Sequence, residues 1–300
     1  MGRLSVSDLS PPSRRYDPAL QSANSKPRFW SAQQNRDEDA NRVPMIRKAA
    51  HLGGDLYEAA SALDLADRLD YARSGAQGPQ TMASKLYAAK YDRMVSAALW
   101  KLIEQGPWER ISTICLIPRS LETEPGGLVN QAAPLMIGGL RTELNRSKAG
   151  AADGFLFAAL HSEFEPESQT YRPHFHGVAA DGMIDVVDAL AATTNYIYQE
   201  GDPVRFRKLR SQKPLTDLPH PLTYIIKGYL PSRRIGPVGK NGAIKRSRQG
   251  HRLPEPYHTQ SLLWLDRWSI NDVTLLMKIR VGKDGFQVSD PKSVHQSGGS

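Results

Sequence analysis

Two histidines stand two residues apart in YRPHFHGV (171–178), a run that otherwise reads as β-strand. Strand side chains alternate, so His174 and His176 project from one face about 7 Å apart while Phe175 points to the other. Two imidazoles so placed can grip one cation. The preceding run LHSEFE sets His161, Glu163 and Glu165 on a single face of a second strand, and the loop PESQTYR joins the two as a hairpin that can bring those faces side by side. Glu163 is the first choice for a third ligand and Glu165 the second; the plainer reading of both is solvated hairpin residues, since a loop alone fixes no register. Imidazole and carboxylate donors without a thiolate suit Mg2+ or Mn2+ better than a closed structural zinc. Val178 occupies the place of a third alternating histidine on the same strand, and there is no His-Glu-x-x-His helix, which argues against a nucleotide-hydrolase triad and a zinc protease.

A second group lies downstream. LTYIIKGYL (222–230) reads as a helix opened by His220-Pro221. On such a helix Tyr224 and Lys227 share a face, with Ile225 and Ile226 turned toward the core. A phenol attacks covalently when a cation polarises its target, and Lys227 can lower the cost of the phenolate or neutralise charge growing on a phosphate. Alone, Tyr-x-x-Lys is a common helix-surface pattern. Tyr229 lies five residues on, rotated by about 140° on an ideal helix, so one nucleophile is expected. Tyr196 and Tyr198 are assigned to packing.

Residues 1–50 are rich in Ser, Pro, Asn, Gln and Arg with little periodicity, which predicts a disordered arm. Residues 51–107 carry two amphipathic patterns, DLYEAASALDLADRLDYARS and Ser84 to Gln105, and form a helical extension stopped by Gly106-Pro107. The period then changes. Strands are expected at 111–117, 154–165, 173–180 and 204–209, with helices at 133–148 and 183–194. This βαββαβ order over 108–232 makes the fold class α+β, with a ferredoxin-like core whose antiparallel sheet carries helices on one face and leaves the other open for a site. Residues 233–300 are a basic C-terminal region; SLLWLDRWSINDVTLLMKI within it reads as one or two helices with aromatic anchors, joining the core or mediating assembly.

The formal charge is +8, and the stretch from Tyr224 to the end, with 13 Lys/Arg against 5 Asp/Glu, accounts for all of it. In PSRRIGPVGKNGAIKRSRQGHR the candidates for a phosphate backbone are Arg233, Arg234, Lys240, Lys245, Arg246 and Arg248. A solvated basic loop is the plainer alternative. GPVGKNG has the wrong spacing for a phosphate loop, which argues against an attached ATP-driven motor. The single cysteine, Cys115, in a β-branched run points to a reducing compartment, and no apolar span or secretory leader is evident, so a cytoplasmic location, in a bacterial host, is expected.

The ordered set of an apolar strand (ISTICLI), His174-Phe175-His176 and the later Tyr224 to Lys227 resembles the motifs of the HUH endonuclease superfamily, in particular the rolling-circle replication initiators of plasmids and phages. Residues 108 to 232 carry the resemblance. It implies that His174 and His176 ligate Mg2+ or Mn2+ with Glu163 or Glu165, that Tyr224 attacks a phosphate of single-stranded or hairpin origin DNA, and that Lys227 assists. The implied product is a 5′-phosphotyrosine link and a 3′-OH that host helicase and polymerase use. The same resemblance admits a transposase or relaxase, although relaxases generally place the tyrosine ahead of the histidines. From another class, a non-catalytic DNA-binding replication regulator also fits a basic tail.

Overall fold

A computed structural model describes residues 4–20, 29–74, 78–197, 199, 205–209, 217–238, 244–246 and 250–289. Three helices precede the first strand: α1 (Ala32–Ala49), α2 (Ala59–Arg73) and α3 (Lys85–Gln105). The last two are those expected. The first stands where a disordered arm is expected, and Val6, Leu9 and Tyr16 upstream of it are buried as well. The buried positions of α1 are Asn35, Asp39, Arg42, Val43, Ile46 and Ala49, a helical face that composition hides because half of it is polar. Those polar groups build an anchor. Asp39 accepts hydrogen bonds from the Ser84 hydroxyl (2.9 Å) and from the amides of Lys85 (2.6 Å) and Leu86 (3.1 Å), capping α3 from outside. Arg42 donates to the Ala83 carbonyl at 2.7 Å and faces Asp39 at 3.4 Å.

The βαββαβ succession follows: β1 (Ile111–Leu116), a short α4 (Pro125–Leu128) and α5 (Ala133–Arg146), β2 (Leu156–Glu165), β3 (Thr170–Ala180), α6 (Gly182–Leu190) and β4 (Phe206–Leu209). Two short strands, β5 (Ile235–Val238) and β6 (Ile244–Arg246), pair with each other. The tail adds α7 (Tyr257–Asp266), β7 (Thr274–Met277) and a hairpin of β8 (Ile279–Gly282) and β9 (Gly285–Val288). The main sheet runs β4-β1-β3-β2-β7 with antiparallel neighbours throughout. The C-terminal region is therefore not an appendage: β7 is a fifth strand of the core sheet. The class is α+β.

Alternation divides the sheet into two faces. One carries Phe164, Tyr171 and Phe175; Phe164 packs on Tyr171 and on Tyr257 of α7 at ring distances of 4.8 and 4.7 Å. The other carries Phe157, His161, His174 and His176, and instead of lying open it is roofed. Phe157 meets Phe286 of β9 at 5.6 Å, β9 packs on α3, and the chain from 217 to 233 runs between α3 and the sheet. The N-terminal helical layer supplies the cover that the βαββαβ order alone does not anticipate.

That crossing segment corrects another expectation. Only His220–Tyr224 is helical, as a 3-10 turn, and the α-helix expected through 230 is absent. Consecutive Ile225 and Ile226 are both buried, which suits a chain sandwiched between two layers rather than a helix with one apolar stripe. Its carbonyls go elsewhere: Leu222 accepts from the Ser96 hydroxyl at 3.2 Å and Ile225 from a histidine of the sheet. At Gly228 a Cβ would lie 2.3 Å from the Ala88 Cβ, so α3 approaches too closely for any side chain there.

Candidate metal centre

The β2–β3 hairpin turns through residues 166–169, pairing Glu165 with Thr170 and setting His161 directly opposite His174, with Ala159 opposite His176. The small Ala159 side chain leaves room for three imidazoles to converge. Ring centroids lie 4.5 Å apart for His161 and His176, 5.0 Å for His174 and His176, and 5.7 Å for His161 and His174. One ring nitrogen from each lies within 4.8 Å of the others, a group that can hold a metal ion. His161 and His174 are buried and His176 is half-buried.

Two of the rings are oriented by the backbone. His161 Nε2 stands 2.6 Å from the Ile225 carbonyl and His174 Nδ1 2.9 Å from the Arg172 carbonyl. A carbonyl only accepts, so those nitrogens carry the protons, leaving lone pairs on His161 Nδ1 and His174 Nε2. His161 Nδ1 is buried without a hydrogen-bond partner, a costly state for a polar atom that a bound cation relieves. Carbonyl bonds on the distal nitrogens are the usual outer support of metal-ligating histidines. Burial holds His161 well below the ordinary imidazole pKa, with the positive potentials of His176 and Lys227 adding to it. His174 is also lowered by burial, against an opposing pull from Glu163. Both rings are kept in the neutral, ligating form.

Neither carboxylate proposed as third ligand belongs to this group. Glu163 forms an ion pair with Arg233 at 2.9 Å, and Glu165 accepts from Arg172 and the Ser168 hydroxyl, each at 2.6 Å. His161 takes the place instead. It lies on the shared face in sequence, and counting outward from a four-residue turn places it opposite His174; preference for a carboxylate donor is what passes it over. With three nitrogen donors, the set is also less suited to Mg2+ than the mixed one expected.

Tyr224, at the end of the 3-10 turn, is 47% exposed, its ring edge-on to His220 at 5.6 Å. Lys227 is half-buried; burial and the neighbouring Arg233 lower its pKa while Glu163 raises it, and its charge is felt by His161 and His174. Lys227 thus belongs electrostatically to the histidine cluster. Tyr224 adjoins it through the backbone, since the next residue supplies the carbonyl that holds His161. Both line a cleft of about 410 Å³ whose walls do not include the three histidines.

Of the basic residues singled out for a phosphate backbone, Arg233 is committed to Glu163 and Arg234 is exposed. Lys245 and Arg246 lie on β6, and Lys240 and Arg248 fall outside the described residues. Cys115 on β1, paired in register with His176, places Sγ 3.7 Å from His176 Nε2. Among the described residues no helix is long and apolar enough to cross a membrane. No protein-family model, no characterised protein and no solved structure matches the chain.

Proposed function

We propose that this chain is a metal-dependent DNA nickase and strand transferase of the HUH kind, acting as a rolling-circle replication initiator. The observation that carries the reading is the buried cluster of His161, His174 and His176 on the neighbouring strands β2 and β3 of a sheet ordered β4-β1-β3-β2-β7, whose first four strands follow the ferredoxin-like order expected of that fold. His161 Nδ1 and His174 Nε2, with His176, would hold the ion. A divalent cation there would polarise the scissile phosphodiester and offset its growing charge. The all-nitrogen donor set moves the choice away from Mg2+ toward first-row transition ions that favour imidazole.

Tyr224 is the nucleophile: its phenol gives up its proton to solvent, the phenolate oxygen bonds to phosphorus, the bond from phosphorus to the 3′ oxygen breaks, and that oxygen leaves as the 3′-OH on taking up a proton from solvent. Lys227 stabilises the phenolate, and rejoining reverses the exchange. Origin DNA in single-stranded or hairpin form is the substrate, and host helicase and polymerase extend the primer. A transposase would use the same chemistry. The separation of the Tyr224 cleft from the histidines favours a second reading, a non-catalytic DNA-binding regulator of replication.

One experiment decides between them. A labelled hairpin oligonucleotide is incubated with the protein and Mn2+ and then denatured in SDS. A resistant adduct that disappears in Tyr224→Phe supports the nickase; salt-sensitive binding without any adduct supports the regulator.

A further inference from the structure

Four large aromatic side chains are exposed among the described residues, Trp30, Tyr71, Tyr224 and Tyr229, and three of them line the same cleft. Trp30 enters it from just before α1, Tyr224 and Tyr229 from the crossing segment. Between Trp30 and Tyr229 lies the Lys85 ammonium, 5.5 Å from one ring centroid and 5.7 Å from the other. The remaining charged lining is Arg42, Lys227 and Arg252 with Glu38 and Asp92; Arg42 is held by Asp39 and Glu38 and Arg252 by Glu38, so the cations that set the character of the cleft are Lys85 and Lys227. The Lys85 ammonium makes cation–π contacts with both rings, and Trp30 and Tyr229 nevertheless stay 49% and 44% exposed above a core filled by Ile226, Leu230 and Leu262.

We infer that this cleft is a stacking site for unpaired bases of a single DNA strand, with Trp30 and Tyr229 as the stacking faces and Lys85 positioned for the intervening phosphate. Aromatic faces accept any base, while lysines between them follow the backbone, which is the composition of a sequence-tolerant single-strand groove. The N-terminal layer is thereby half of the DNA site rather than a mere roof. A duplex, whose bases are already stacked on one another, gains nothing from it. The choice of DNA rests on the nickase reading, but the stacking does not require cleavage.

The test is fluorescence anisotropy in EDTA, so that no cutting occurs, with a labelled mixed-sequence single strand, the matching duplex, and a single strand of equal length and charge made abasic. The unaltered protein is expected to prefer the normal strand to both others. Trp30→Ala and Tyr229→Ala are each expected to weaken single-strand binding by about 5-fold to about 150-fold, with little change for the abasic strand, and Tyr71→Ala is expected to leave binding as it was. Equal affinity of the unaltered protein for normal and abasic strands overturns the inference, as does binding of Trp30→Ala and Tyr229→Ala within twofold of the parent. Should Trp30→Ala misfold, the abasic comparison and Tyr229→Ala decide alone. Absence of an SDS-resistant adduct with stacking intact removes the nickase and leaves the cleft; an adduct without base-dependent binding does the reverse.

Discussion

The two groups that must cooperate in the proposed reaction are built on opposite principles. The histidines sit on strands whose register is fixed by ten residue pairs, and His161 and His174 are buried with their tautomers set by backbone carbonyls. Tyr224 ends one short 3-10 turn and is half exposed, on a segment that lies outside the strands and α-helices. A cation demands several donors held to a fraction of an ångström, which rigid strands provide. A nucleophile that must reach a phosphate, become esterified and later release it benefits from a segment free to shift. A polar link between the two, the Ile225 carbonyl on His161 Nε2, lets movement of the segment be felt by the ligands.

This contrast can be broken experimentally, beginning with the largest effect. His174→Ala is expected to abolish metal retention after desalting, read by elemental analysis, and the SDS-resistant adduct with it. Retained metal would show that the cluster is a packing arrangement. Tyr224→Phe is expected to remove the adduct while leaving the metal content unchanged and stability within about 0.5 kcal/mol, as for other surface changes; loss of metal in this variant would mean the two regions are not separable. Gly228→Val forces the segment off α3 and is expected to cost about 1–3 kcal/mol in denaturant melts, the usual range for overpacking. Adduct yield should fall further than metal content; an equal fall would place the ligands and the segment in one rigid unit.

Smaller effects sharpen the same comparison. In the metal-free protein, His161 and His174 have folded pKa values below their unfolded ones, so the unfolded chain binds more protons. Stability is therefore full above the unfolded imidazole pKa of about 6.5 and declines as pH falls below it toward the depressed folded values. A denaturation midpoint that does not change between pH 7.5 and pH 5.5 would contradict the burial of these rings. Glu163→Gln is expected to weaken metal affinity by no more than about 100-fold, the upper scale of an outer-shell change; a loss as complete as that of His174→Ala would restore Glu163 as a ligand.

The sheet was legible because alternation is a local property. His174 and His176 share a face of their strand whatever its pairing, but His161 joins them only in a register that sets it opposite His174, and that count across the turn was missing. The crossing segment was not legible, because the apolar pair Ile225-Ile226 is buried by two layers drawn from distant parts of the chain. The first helix was hidden for the opposite reason: Asn35, Asp39 and Arg42 look like solvated residues until Ser84 and Ala83 are brought to them. β7 is only TLLM, too short an apolar run to separate strand from helix by period, and it reads as a continuation of the helix before it.

The neighbours of β2 on its outer side have one further consequence. Leu156 to Ala159 pair with Thr274 to Met277, Leu160 donates its amide to the Val273 carbonyl, and Phe164 is bridged by Pro231 and Arg233. Every one of these partners is synthesised long after the hairpin that bears the imidazoles. On the ribosome this hairpin therefore waits with a bare rim of amides and carbonyls until residues 273–277 have emerged, an invitation to intermolecular pairing. A fragment ending near residue 232, chosen as a minimal enzyme, would carry that rim permanently and is expected to precipitate rather than to nick DNA.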